Sequence, residues 1–156
     1  MKFRHWVAFL LAVSPAALAA TDPPIAVTGL VSNSLHLSMD DLGNFPATHV
    51  SATQVSGHGP VSLDCTGASL AAILDKATLN VGKNRNANLA HSLLVTGDDG
   101  YAVALSLGEI DPNYGNAPAI IATSCNGKPE DNPRLVVPND KHGGRAVQGV
   151  VSIEVK

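Results

Sequence analysis

Basic charge is scarce in this chain. Its 156 residues hold 10 Lys+Arg against 13 Asp+Glu. The few cations are not clustered, which argues against nucleic acid or an anionic lipid surface as a partner. Aromatic residues are equally sparse, with one Trp, two Tyr and three Phe, so a core has to be built from Val, Ile, Leu and Ala. No apolar run reaches the ~20 residues of a membrane-spanning helix, because charge, Gly or Pro interrupts each one. The signatures of phosphate-binding loops, dinucleotide folds and nucleophile elbows are missing. The histidines offer no i, i+4 pair, and no Cys/His cluster has zinc spacing, which speaks against a transition-metal site. There is no internal repeat and no low-complexity tract.

The first twenty residues carry a pattern of their own. Lys2, Arg4 and His5 make a basic start, and Trp6 to Val13 (WVAFLLAV) form a short apolar run. Ser14-Pro15 break that run, and Ala17-Leu18-Ala19 fits a small-residue cleavage site. This is the order of a secretory signal peptide. Residues 1–19 are therefore read as a cleaved leader and 20–156 as one domain, exported to an oxidising compartment. Removing the leader leaves 8 Lys+Arg against 13 Asp+Glu, a net charge of about −5. Two cysteines remain, Cys65 and Cys125. In that compartment they are either a disulfide or two buried thiols. A bridge would close a loop of about 60 residues, worth about 4 kcal/mol in the chain-entropy picture.

Hydrophobic periodicity predicts many short strands and one main helix. Strands are expected at 25–31, 35–37, 49–55, 61–65, 91–96, 101–105, 117–124, 134–137 and 147–155. Ser38 to Leu42 reads as an N-capped helical turn. Leu70, Ile73, Leu74 and Ala77 follow the i, i+3, i+4, i+7 rule, so a helix is expected from near Thr66-Gly67 to Asn80. Asp98-Asp99-Gly100 between alternating segments is a hairpin signal, and Asn126-Gly127 marks a second tight turn. The expected class is α+β, with a mixed, mostly antiparallel sheet or barrel.

The residues able to carry chemistry stand at turns and strand ends. They are Asp99, Tyr101, Glu109, Arg134, Asp140 and Arg145, with Ser124 a further candidate. Each has a plainer explanation. Asp99 and Asp140 suit turns, where a side chain bonds its own backbone. Arg134 and Arg145 suit structural ion pairs with these acids. The same residue types suit a flat heterocycle rich in amide groups. A carboxylate accepts from an amino-pyrimidine edge, an Arg donates to a carbonyl, and a Tyr ring stacks.

Several segments occur in a telling order. They are V-T-G-L near the start, L-S-M-D-D-L, T-G-A-S-L-A-A-I-L, and G-D-D-G-Y-A-V-A-L-S-L-G-E-I. C-N-G-K-P, P-R-L-V-V-P-N-D, G-G-R-A-V and V-S-I-E-V follow. In this order the chain resembles the molybdopterin-binding domain of the sulfite oxidase family, in a short exported form. The resemblance implies a sulfite oxidase-like α+β fold and a pterin-shaped pocket. Full-length members hold molybdenum through a cysteine thiolate. The corresponding stretch here, His49 to Ser56, contains no cysteine, so the molybdenum cofactor is not expected and no residue is assigned to a metal. Gly-Gly-Arg145-Ala-Val has Ala where relatives have Trp, and Gln148 stands near a usual Lys. The chain looks more like short periplasmic pterin-binding proteins, which report pterin to membrane sensors of the diguanylate cyclase/phosphodiesterase type. The resemblance thus implies a non-catalytic periplasmic protein that binds a neopterin- or monapterin-type ligand and has the periplasmic domain of a membrane sensor as partner. Asp99, Tyr101, Arg134, Asp140, Arg145, Glu109 and Ser124 are its expected pocket residues. The alternative is a molybdopterin-dependent oxidoreductase or a subunit of one.

Overall fold

A computed structural model describes residues 24–156. The leader expected at 1–19 lies outside the described residues. The elements in chain order are β1 (Ile25–Gly29), β2 (Leu35–Leu37), α1 (Met39–Gly43), β3 (Ala47–Ser56), β4 (Gly59–Ser69), α2 (Leu70–Ala77), β5 (Ser92–Gly97), β6 (Ala102–Ser106), α3 (Leu107–Ile110), β7 (Ile120–Cys125), β8 (Lys128–Val136) and β9 (Val150–Val155). Short 3-10 turns occupy Ala87–Ala90 and Gly143–Arg145. The class is α+β, with a sulfite oxidase-like arrangement of two mostly antiparallel sheets and few helices.

One sheet has the order β2-β1-β9-β5-β6 and the other β3-β4-β7-β8. All pairs are antiparallel except β1 with β9. The main core lies between the sheets and α2. It is aliphatic, as the shortage of aromatics requires, with Ile25, Leu70, Ile73, Leu93, Ile121 and Ile153 fully buried. β7 is buried on both faces. Ile121 enters the main core, while Ile120 and Ala122 join a smaller cluster with Val50, Leu63 and Val136. Cys65 and Cys125 face each other across β4 and β7 and form a disulfide in that smaller cluster.

α1 follows the signals in its sequence. The Ser38 hydroxyl accepts from the Asp41 N–H at 3.1 Å, and the Asp41 carboxylate accepts from the Ser38 N–H at 2.9 Å, a complete capping box. α2 differs from the periodic reading at both ends. Residues 66–69 belong to β4, where Thr66 pairs with Ser124 and Ser69 with Ile120. Ser69 is extended and caps the helix by accepting from the Ala72 N–H. Sheet pairing therefore overrides helical periodicity until Leu70. At the other end Thr78 has φ +58°, which stops the helix at Ala77, three residues short of Asn80.

β8 also starts earlier than its apolar pattern suggested. It begins at Lys128, directly after the Asn126-Gly127 turn, whose residues have φ +52° and +73°. Its pairing with β7 is interrupted. Ser124 opposes Pro129 and Ala122 opposes Arg134, so Glu130 to Pro133 bulge out opposite the single residue Thr123. This bulge hides the strand from a periodicity test, and it builds one wall of the site described next.

Candidate functional site

Arg134 stands where β8 resumes pairing after the bulge. It lines a cavity of about 260 Å³ together with Asp98, Glu130, Asp131, Gln148 and Gly149. Three segments meet there. The bulge brings Glu130 and Asp131, the β5–β6 turn brings Asp98, and the approach to β9 brings Gln148 and Gly149. Backbone bonds hold these segments in place: Asp98 N–H donates to Gly149 O at 2.8 Å, and Leu135 N–H donates to Val147 O at 2.8 Å. Gly149 has φ +58°, and an added Cβ would lie 2.7 Å from the Asp98 carboxylate. Glycine is thus what allows that carboxylate to sit against the backbone.

The Arg134 guanidinium is underused. Its contact with Glu130 is an ion pair at 3.8 Å, beyond hydrogen-bond range. Its Nε is sealed from solvent and has no hydrogen-bond partner among the described residues. The side chain as a whole is 21% exposed, so part of it reaches the cavity.

Arg145 is the opposite case. Nε and Nη2 donate to Asp140 at 2.8 and 2.6 Å, and Nη1 and Nη2 donate to Glu109 at 3.2 and 3.1 Å. Hydrogen bonds from Asp140 first and Glu109 second push the guanidinium well above its ordinary value, so it is permanently charged. Its two carboxylate partners engage all three of its nitrogens. The cluster ties the loop after β8 to α3, and Tyr101 strengthens the tie by donating its hydroxyl to Gly144 O at 2.5 Å. One Tyr101 face stays open, the residue being 50% exposed.

The residues nominated from sequence therefore fall into separate places. Arg134 lines the cavity. Arg145, Glu109, Asp140 and Tyr101 form the neighbouring clamp, joined to the cavity through the β5–β6 turn and residues 146–149. Asp99 is engaged in its own turn, accepting from the Tyr101 N–H at 2.8 Å. Ser124 lies on β7 between Thr66 and Pro129, outside the cavity lining. Asp98, Glu130 and Gln148 were not nominated. For Asp98 the signal was the D-D-G turn itself, in which one acid bonds the turn and the other is free to point elsewhere. Glu130 gave no signal, because only the bulge brings it beside Arg134.

A larger cavity of about 550 Å³ lies between α2 and α3. Its walls include Leu74, Leu79, Leu107 and Ile110, and it contains no cationic side chain. Its Asp111 already accepts from the Asn113 N–H at 2.8 Å and side-chain amide at 3.0 Å, and from Asn88. The smaller cavity has the cation and the unpaired buried donor that an oxo-bearing ligand would meet.

No family model matches the chain, and no curated protein matches it. Among solved structures the fold is similar to the sulfane dehydrogenase SoxCD from Paracoccus pantotrophus, with a TM-score of 0.71 and 19% identity. The match covers 90% of this chain and 39% of that one. A likeness at this identity is one of fold.

Proposed function

We propose that the protein is a periplasmic pterin-binding protein whose ligand sits in the cavity at Arg134, and that it acts by signalling and not by catalysis. The observation that carries the reading is a cation with an unused buried donor that shares its cavity with the carboxylates of Asp98 and Glu130. An unpaired buried donor costs about 1–3 kcal/mol. A ligand that shifts the Arg134 side chain enough to offer it a carbonyl recovers that penalty. The 2-amino-4-oxo edge of a pterin does this while presenting N–H groups to the flanking carboxylates. The cavity, at about 260 Å³, is slightly below the ~300–1,000 Å³ range of small-molecule sites, which favours a single bicyclic ring.

The sulfite oxidase-like fold raises the molybdenum cofactor, and the residues here do not fit it. Cys65 and Cys125 are bonded to each other, and no free cysteine is found among the described residues. Arg145 is held by its own acids through all three nitrogens. The oxidoreductase alternative makes one firm demand, stoichiometric molybdenum in protein exported from molybdenum-replete cells. Finding it would displace the present reading.

The direct test is calorimetric or fluorescence titration of residues 20–156 with neopterin and monapterin. Saturable binding lost in Arg134→Met supports the site, and absence of binding to any pterin overturns it. For the partner, the periplasmic domain of a membrane cyclase/phosphodiesterase sensor is expected to bind in a pterin-dependent way. Equal capture with and without pterin refutes the signalling half.

A further inference from the structure

The cavity's charge balance points to a selectivity that the fold does not imply. Asp98, Glu130 and Asp131 place three carboxylates around Arg134, the one cation of the lining. The neighbouring cation, Arg145, is held by Asp140 and Glu109 through both faces of its fork. A phosphate monoester carries about −1.5 to −2 charge near neutrality and needs Arg, Lys or a cluster of free backbone N–H groups. None of the other lining groups is a cation. Asp98 uses its N–H on Gly149 O, so the turn does not offer that donor to an anion either.

We propose that this site rejects phosphate esters and selects the dephosphorylated pterin. Resting on the pterin reading, this inference adds the class of molecule that can enter. A neutral ring finds one guanidinium donor for its carbonyl and flanking carboxylate acceptors for its N–H groups. A phosphorylated side chain brings a dianion into a site whose net charge is already negative, where like charges at close range repel. Asp131 is the residue best placed to test this. It is exposed and forms no ion pair among the described residues, so its carboxylate can be neutralised without disturbing the fold.

The experiment compares neopterin with neopterin monophosphate by calorimetry at fixed pH and two salt concentrations, on wild type and Asp131→Asn. The monophosphate is expected to bind at least ten-fold more weakly at low salt. Asp131→Asn is expected to narrow that gap at least three-fold. Higher salt is also expected to narrow it, because screening weakens partly exposed charge repulsion. Equal affinity of the two ligands in wild type overturns the selectivity and leaves the pterin site standing. An unchanged gap in Asp131→Asn overturns its electrostatic cause. Failure of both ligands to bind overturns the pterin reading, and this inference with it.

Discussion

Gly149→Ala isolates the cavity's geometry from the fold's stability. Residue 149 has φ +58°, and the new Cβ would stand 2.7 Å from Asp98 Oδ1 and 2.8 Å from its Cγ. Two effects follow. Alanine in the left-handed region costs about 1–2 kcal/mol. At this chain length that lowers Tm by about 4–8 °C. The Asp98 carboxylate must also leave its place, losing a charge-assisted hydrogen bond to the ligand worth about 1.5–3 kcal/mol. Pterin affinity should fall by about 10- to 150-fold. Gly100→Ala is the control, since Gly100 has φ +82° with nothing within 4 Å of an added Cβ. It should lower Tm similarly and leave affinity within about two-fold, because the same backbone strain is present without the contact. Thermal unfolding and pterin titration on both variants separate the terms. If Gly149→Ala binds as well as Gly100→Ala, Asp98 does not contact the ligand from where it stands.

The two arginines should separate in the opposite sense. Arg134→Met should lose at least 30-fold in affinity with little change in Tm, whereas Arg145→Met should lose about 2 kcal/mol of stability. That value lies between the exposed and buried ranges, because Arg145 is about one-third exposed and its loss leaves Glu109 facing Asp140. Denaturant titration of both variants checks this. Replacing Cys65 and Cys125 by Ala should cost about 4 kcal/mol through the 60-residue separation that the bond spans, measurable as a fall in denaturant midpoint with a rise in m-value, because the unbridged denatured chain exposes more surface. Asp41 sets a small acid limb. The Ser38 N–H, and after it the Ser38 hydroxyl, hold its carboxyl below the ordinary 3.8. Its contribution is therefore complete above 3.8 and is lost as pH falls through the lower folded value. Asp41→Asn should remove that part of a plot of Tm against pH.

The fold was largely legible, for physical reasons. The aliphatic alternation, the Ser38 capping box and the Asn126-Gly127 turn are local signals, and the structure follows them. Local signals fail where distant strands compete. Residues 66–69 look helical beside Leu70, yet pairing with β7 draws them into β4. The bulge at Glu130–Pro133 interrupts the period-2 pattern that would have revealed β8. The site was legible to the same degree. Residue chemistry nominated Arg134, which lines the cavity, and marked the D-D-G turn, but not which of two adjacent aspartates bonds the turn. That choice depends on Gly149, some fifty residues away. The Arg145 group could be read only as a set of possible ion pairs, and its resolution into one saturated clamp depends on how α3 meets the loop after β8.

Whether the cavity at Arg134 is where a pterin binds can be read most directly by two-dimensional NMR of the labelled domain titrated with monapterin. Saturable shifts are expected at the amides of Asp98, Glu130, Gln148 and Gly149 and at the Arg134 Nε–H, with the α2–α3 groove unmoved. Shifts centred on that groove, or none at any concentration, would contradict the account.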